Sequence, residues 1–579
     1  MDKRTIARVL EEIGTLLELQ GENPFRARAF QTAARTIEGL EGDVAAMAES
    51  GALARVRGLG PATLQVVREL LDTGESSVYR ELREATPPGL LDLLRVPGLG
   101  ARRIHVLHVT LGISSLDDLE RAATEGRIAE LSGFGAKTQA KLLEGIAFLR
   151  SVSGRRLLPD AMAVAAWLVD AVRSLPEVQR AEAAGEVRRR LETVGAIDIV
   201  ASVPGGAGRA VVDAFLTLPE VVGGTALGEN GARARLTDGL ELRLRCVPPE
   251  SFAAALVHVT GGAEHVAGLA AKAESAGLRL DEHGLWRGGE RVELADEAAL
   301  YGALGLDFVP PELRETGDEV AAASAGSLPA LLEPGHLRGC FHNHTTYSDG
   351  HATLREMAEA ALRLGWRYLG IADHSQFAAY AKGLSPDAIA RQHEEIDAWN
   401  AERGHELWLF KGIEADILPD GRLDYADLDE DILARFDYVV GSVHSSFGMS
   451  EAEMTERVLR AMENPHLTFL GHPTGRLLLG RGGYRIDMEA VVEAAAERGV
   501  GIEINANPHR LDMDWRYWRR AKEKGIRTAI NPDAHSVDGL EDVRWGVMVA
   551  RKGWLTAADV VNAWDLDAVR EYFRKRKTS

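Results

Sequence analysis

The residues best suited to chemistry gather late in the chain. In FHNHTTYSDG, His342 and His344 alternate, so that on a strand both would point to the same side, and Asp349 follows in a loop with a hard oxygen donor. The ends of later apolar runs supply His374 in IADHS, Glu414 in KGIEAD, His444 in GSVHSSF, His472 in FLGHPTG, and Asp533 with His535 in NPDAHS. Imidazole mixed with carboxylate suits Zn2+, Mn2+ or Fe2+, and several cations held close together need such a mixture to offset their mutual repulsion. A single histidine is more often structural or solvated, but 12 of the 17 histidines lie between His336 and His535, which makes the enrichment regional and predicts a polynuclear metal site. Ions in such a site activate water and stabilise charge on phosphate oxygens, a route to phosphate-ester hydrolysis that needs no protein nucleophile.

These residues require a scaffold that brings distant segments together. From Cys340 onward the runs YLGIAD, LWLFKGIEADI, YVVGSVH, LTFLGHP, GIEINANP and TAINPDAH alternate with helical patterns. Seven or eight such βα units predict a barrel, with the polar residues at the strand ends where βα folds place their chemistry. Arg476, Arg481, Arg485 and Arg510 are candidate phosphate contacts or ordinary solubilising residues. His509 is a weaker ligand candidate, and DYADLDEDI from Asp424 reads as an exposed loop and helix start.

The N-terminal part carries a different pattern. Ile6, Val9, Leu10, Ile13, Leu16 and Leu17 recur at helical spacing, and RVRGLG, RVPGLG and LSGFG each precede a helix-forming run. Gly58 with Gly60, Gly98 with Gly100, and Gly133 with Gly135 bracket one apolar residue apiece, a turn that gathers backbone N–H groups at a helix start and favours phosphate. One such turn is as well explained as a plain helix connection, whereas three, with Arg102, Arg103, Lys137 and Lys141 beside two of them, favour nucleic-acid backbone.

A length of 579 residues calls for several domains. The hydrophobic share of 45% against 27% charged, without an apolar stretch long enough to span a bilayer, excludes disordered and membrane classes. Only Cys246 and Cys340 are present, so a disulfide scaffold and cysteine-only zinc sites are excluded. MDKRTIARVLEEIG lacks the solid apolar block of a signal peptide, and a cytoplasmic location is expected. The net charge of -20 at first argues against a phosphate-rich partner, but residues 1–150 hold 19 Lys and Arg against 21 Asp and Glu, so the acidity lies downstream.

ENPFRARAFQTAARTIEGL, the three hairpins, RLLPDAMAVAAWLVDAVRSLPEVQRAEAAGEVRRRLETVGAIDIV and FVPPELRE resemble the bacterial and archaeal family X DNA polymerases, and the C-terminal motifs resemble the PHP metal-dependent phosphoesterases fused to them. The resemblance implies a multidomain fold. Helix-hairpin-helix domains come first, an 8-kDa-like one over 1–85 and a fingers-like one over 86–154. An α+β nucleotidyltransferase-like palm and thumb over 155–317, a linker over 318–335 and a distorted TIM-like PHP barrel over 336–579 follow. It further implies that His342, His344, Glu414 and Asp533 or His535 serve a buried metal pair. Asp349, His374, His444 and His472 complete a three-ion cluster of Mn2+ or Zn2+, with Mg2+ a further candidate.

Against that family pattern the palm is altered. Glu186 stands where a phosphate-contacting serine is expected, and Ala196 and Arg243 stand at two of three carboxylate positions, leaving Asp198 to pair with Arg243. Glu241 shares the strand face of Arg243 but lies roughly 6 to 7 Å along it, and Asp238 offers no simple replacement. The expected function is 3'-5' exonucleolytic processing of gapped DNA or 3' ends in base excision repair by a protein compatible with a monomer, its polymerase activity lost. A bifunctional polymerase and exonuclease, a noncatalytic DNA-binding scaffold and a small-molecule phosphatase are the alternatives.

Overall fold

The computed structural model describes residues 3–40, 44–426 and 432–578. They divide into two compact units, Met1–Ser153 and Gly154–Ser579.

The first unit is helical. The periodic apolar residues of its opening segment are all buried on one face of helix Lys3–Leu19. Helix Pro24–Glu38 packs along it, started by the Asn23 side chain, which accepts from the Phe25 N–H, and by Pro24 in its first turn. In each hairpin the first glycine, Gly58, Gly98 or Gly133, has a φ between +81° and +102°, where a side chain would be strained. The apolar residue that follows, Leu59, Leu99 or Phe134, is buried and anchors the turn. Helices Pro61–Thr73 and Ala101–Leu111 start directly after Gly60 and Gly100, whereas Gly135 is itself the first residue of helix Gly135–Val152.

The second unit opens with helix Leu158–Arg173 against a five-stranded sheet of β1 (Arg180–Ala184), β2 (Ala196–Ser202), β3 (Val221–Ala226), β4 (Gly231–Leu236) and β5 (Glu241–Val247), in the order β1-β2-β5-β4-β3. Only β2 and β5 run parallel, in a register that sets Asp198 against Arg243. Alternation buries Ile197, Ile199, Leu242 and Leu244 on one face and leaves Asp198, Glu241 and Arg243 on the other. A helical layer with a small three-stranded sheet follows, tied by buried polar contacts. His265 is 2.7 Å from Glu319 and 2.8 Å from the Tyr301 hydroxyl, and Arg314 donates to Glu297 at 2.6 Å.

The segment 318–335, expected as a linker, forms helix Asp318–Ser324 and is packed rather than open: Glu319 is fully buried on His265, and the Leu332 N–H donates to the Leu555 carbonyl. Its small residues suit close helix packing, which a lack of strand pattern cannot distinguish from a connector. Ion pairs Arg551 to Glu312 at 3.0 Å and Arg516 to Glu192 at 3.2 Å, with the buried Lys552 on Glu315, join this region and the palm to the C-terminal domain.

That domain is a curled parallel sheet of six strands in chain order, β6 (Tyr368–Ile371), β7 (Trp408–Asp416), β8 (Tyr438–Ser442), β9 (Leu467–Leu470), β10 (Gly501–Asn505) and β11 (Thr528–Asn531). The segment 340–344 closes the ring. The Gly370 N–H donates to the Cys340 carbonyl, the His344 N–H donates to the Ala534 carbonyl, and Asn343 bridges Ala534. The regular strand expected at FHNH is therefore an irregular stave, because its backbone bonds divide between two flanking segments. Among the described residues the barrel has six strands and this stave, the lower of the two expected counts. Phe341, Tyr368, Phe410, Tyr438 and Phe469 fill one end of the barrel, where Phe573 from helix Leu566–Thr578 stacks on Tyr438 and meets Phe341 and Phe410 edge-on. The filled end leaves the strand C-termini as the place for polar chemistry. Part of the acidic run, residues 427–431, lies outside the described residues.

Candidate metal centre

Every strand end but one delivers a polar side chain to a single point. Glu414, at the end of β7 and 1% exposed, is its centre. Its Oε1 lies 3.0 Å from His472 Nε2, 3.3 Å from His444 Nε2 and 3.4 Å from His342 Nε2. Its Oε2 lies 2.8 Å from His374 Nδ1 and 3.8 Å from His344 Nε2. Asp533 Oδ1 is 3.2 Å from His344, and Asp349 Oδ1 is 3.4 Å from His535 and 3.6 Å from His374. All nine residues singled out by spacing are thus brought together.

The chemistry of the donor set fits cations. Three groups have ligand atoms within 4.8 Å of one another: His344, Asp349, His374 and His535; His342, His344 and Glu414; and His374, Glu414 and His444. Several of these atoms are buried without a hydrogen-bond partner, including His342 Nε2, both ring nitrogens of His344, His374 Nδ1 and Glu414 Oε2. The close approach of His374 to Glu414 therefore lacks hydrogen-bond geometry, as expected of two ligands aimed at a shared point. An orphaned buried polar atom costs about 1–3 kcal/mol, so so many at one place call for an ion.

Supporting groups that sequence spacing did not single out surround the cluster. Buried Glu503, at the middle of β10, accepts from or faces His342 Nδ1 at 2.7 Å, and Asp416 holds His444 Nδ1 at 3.2 Å. Such carboxylate partners fix ring orientation and raise ligand basicity. Asp373 accepts from the Thr345 N–H at 2.8 Å and from Gln392 at 2.6 Å, which pins the segment between His344 and Asp349. Carboxylates at 373, 416 and 503, one or two residues from a candidate ligand or inside an apolar strand, were the available signal. Arg510 reaches Asp533 at 3.5 Å, whereas Arg476 is committed to Asp514 and the Arg510 carbonyl, and Arg481 to the Gly475 carbonyl. Arg485 and His509 are exposed, and His509 is outside the cluster.

Electrostatics follow from this crowding. Burial opposes charge on His342, yet Glu503, Glu414 and Asp533 more than offset it and hold its pKa well above the usual imidazole value. Burial is likewise overcome at His444 by Glu414 and Asp416, to about 10, and at His535 by Asp349 and Asp533, to about 9. His344 goes the other way, pushed to about 3 by burial and by the charges of His535 and His374. Against the same burial, neighbouring histidines hold Asp349 down at about 2 and Glu414 well below the carboxylate range. Protons on raised histidines must leave when a cation binds. Cation affinity is therefore expected to rise with pH until it passes the raised values of about 9 to 10, and to fall as pH drops. Calorimetric titration with Zn2+ or Mn2+ in buffers of different ionisation enthalpy reads the released protons; binding without release would refute this.

Comparison with known proteins places the geometry. Residues 1–76 match a helix-hairpin-helix domain, 90–147 a SAM-like helix-hairpin-helix tandem, 255–315 the DNA polymerase beta thumb and 341–507 the PHP domain. A "DNA polymerase/3'-5' exonuclease PolX" of Bacillus subtilis (strain 168) is 36% identical over 579 residues, covering 99% of this chain and 100% of the relative. The chain belongs to the PolX family. Over the PHP part alone, a probable phosphatase of Thermoanaerobacter sp. (strain X514) is 29% identical over 41% of this chain and 94% of its own. Another, of Caldanaerobacter subterraneus, is 33% identical over 34% of this chain and 74% of its own. This PolX chain is thereby a metal-dependent hydrolase with helix-hairpin-helix, thumb and PHP parts.

In the palm of this PolX chain, Arg243 stands 3.6 Å from Asp198 and 2.6 Å from Glu241, and Glu241 also holds Arg233 at 2.8 Å. Burial raises the Asp198 pKa, with Arg243 opposing. Gly185, at φ +63°, presses on this carboxylate: a Cβ there would lie 2.2 Å from Asp198 Oδ2. Ala196 is buried, and Glu186 accepts from the Gly195 N–H at 2.7 Å and from Arg155 at 3.1 Å. Asp238 pairs with Arg156. In the first unit, Lys137, Lys141, Arg102 and Arg103 are exposed, Arg102 facing Glu18 at 3.4 Å and Arg103 donating to the Gly98 carbonyl.

Proposed function

We propose that the chain hydrolyses DNA phosphodiesters as a 3'-5' exonuclease and end-processing phosphoesterase in DNA repair. Three Mn2+ or Zn2+ ions would be held by His342, His344, Asp349, His374, Glu414, His444, His472, Asp533 and His535. The convergence of five imidazoles on the two oxygens of Glu414 carries this reading. Bound ions supply an activated water and stabilise phosphate charge. The chain itself supplies the orienting carboxylates Glu503 and Asp416, and Arg510 as a cation at the rim of an acidic site. Digestion of gapped DNA labelled at the 3' or the 5' end, with Mn2+, Zn2+ or Mg2+, tests it. Stepwise nucleotide release from 3' ends, lost on His344→Asn with the fold intact by circular dichroism, is the expected result. Binding without release under every metal would instead establish a scaffold, and faster turnover of histidinol phosphate than of DNA would establish a small-molecule phosphatase.

The hairpins would hold the backbone for this reaction. Lys137→Ala and Lys141→Ala are each expected to weaken DNA binding to a similar extent for every sequence and to reduce the slope of log affinity against log salt by about 1. Fluorescence anisotropy at several salt concentrations measures it, and an unchanged slope counts against those contacts.

Loss of templated synthesis is the local part of the proposal, resting on Ala196 and the Asp198–Arg243 pair. The second reading is the bifunctional one. Its support is the full-length likeness to a relative named for both activities, and that likeness favours it over loss.

A further inference from the structure

The loop after β6 presents two aromatic side chains to solvent, and one of them, Tyr380, borders the metal-ligand cluster. Tyr380 is 72% and Phe377 47% exposed. Isolated exposed apolar residues are ordinary, but these two share the loop 372–385 with His374, and the Tyr380 ring centroid lies 6.2 Å from that of His374 and 6.5 Å from that of His444.

The backbone of the loop is also held in place. Ser375 bridges Leu384, the Leu384 N–H donates to the His374 carbonyl, and the Gly383 N–H donates to the Ala378 carbonyl. Gly383 approaches so closely that a Cβ there would lie 1.8 Å from the Ser375 carbonyl oxygen. From outside, Tyr425 accepts from the Gln376 N–H at 2.8 Å and Asp424 from the Phe377 N–H at 2.7 Å, while Ala378 and Ala381 are buried beneath. The backbone that carries the two rings is thus fixed relative to the strand end that carries His374. Arg510 lies 3.5 Å from Asp533 of the same cluster. An aromatic face beside a phosphate-ester site that also carries a cation matches a nucleotide: base on the ring, phosphate toward the ligands.

We infer that Tyr380, assisted by Phe377, is a stacking platform for the unpaired terminal base of the DNA strand cut at this centre. The inference rests on the phosphoesterase reading and adds a substrate preference to it, for ends whose last base is unstacked and present. Stacking of this kind is sequence-tolerant, because every base offers a π face.

The test compares single-stranded oligonucleotides ending in thymidine or in an abasic tetrahydrofuran residue, digested with Mn2+. Wild-type protein is expected to prefer the base-bearing end by about tenfold in kcat/KM, chiefly through KM, the lower part of the range that base–aromatic stacking provides. Tyr380→Ala removes the preference, Tyr380→Phe keeps it, and Phe377→Ala reduces it. Because Tyr380 is exposed, its alanine variant leaves the core packing in place, which a thermal melt checks. Equal cleavage of both ends by wild type, or a preference that survives Tyr380→Ala, overturns the platform while leaving the phosphoesterase intact. Loss of preference in Tyr380→Phe would assign the effect to the hydroxyl and also overturns it. No release from either end by wild type fells the phosphoesterase reading, and the platform with it.

Discussion

Replacing Glu414 with glutamine is expected to lower DNA hydrolysis by more than about 100-fold while the fold persists. Outer partners of metal ligands typically cost about 10–100-fold when removed, and Glu414 is not an outer partner: both its oxygens face imidazoles of the cluster, at 2.8 to 3.8 Å. Glutamine keeps the shape but removes the anion that offsets crowded positive charge. Glu503, which faces the His342 ring and accepts from the His472 N–H and from Asn505 and Asn531, belongs to the outer class, and Glu503→Gln is expected to fall in the lower range. Nucleotide release from labelled DNA, with metal content by mass spectrometry of the purified variants, checks both. Glu414→Gln retaining activity within tenfold of wild type would remove Glu414 from the centre of the reaction.

The second large effect concerns the palm. Taken by itself, the Asp198–Arg243 pair predicts primer extension by the wild-type chain below detection with Mg2+ or Mn2+, at least about 10³-fold under a carboxylate-complete site, since losing one electrostatic stabiliser of a transition state costs about 10²–10³. Ala196 and Arg243 stand where the family resemblance implies carboxylates, and Arg243 places a guanidinium 3.6 Å from Asp198. The double variant Ala196→Asp with Arg243→Asp restores an anionic face on β2 and β5 and is expected to gain metal-dependent extension above the parent. Asp198→Asn is the control. Extension by the wild-type chain that disappears with Asp198→Asn would decide for the bifunctional reading, which the full-length relative already favours.

The six C-terminal strands were legible because each is a short apolar run ended by a polar residue. The hairpins were legible for a similar local reason, since a positive φ at Gly58, Gly98 and Gly133 selects glycine. The helix in 318–335 was less so: its small residues bury against partners far along the chain, and Glu319 finds His265 only after folding.

By itself the sequence determined the inventory of this site: nine histidines and carboxylates, six of them at the ends of apolar runs and three in FHNHTTYSDG. Residue type and local periodicity are short-range properties, readable without a fold. Only the tertiary structure decided that Glu414 is the hub, that Glu503 and Asp416 orient the rings, that His509 stands aside, and that Tyr380 flanks the opening. Closing the barrel brings together side chains nearly 200 residues apart, from His342 to Asp533, and no spacing along the chain encodes which of them meet.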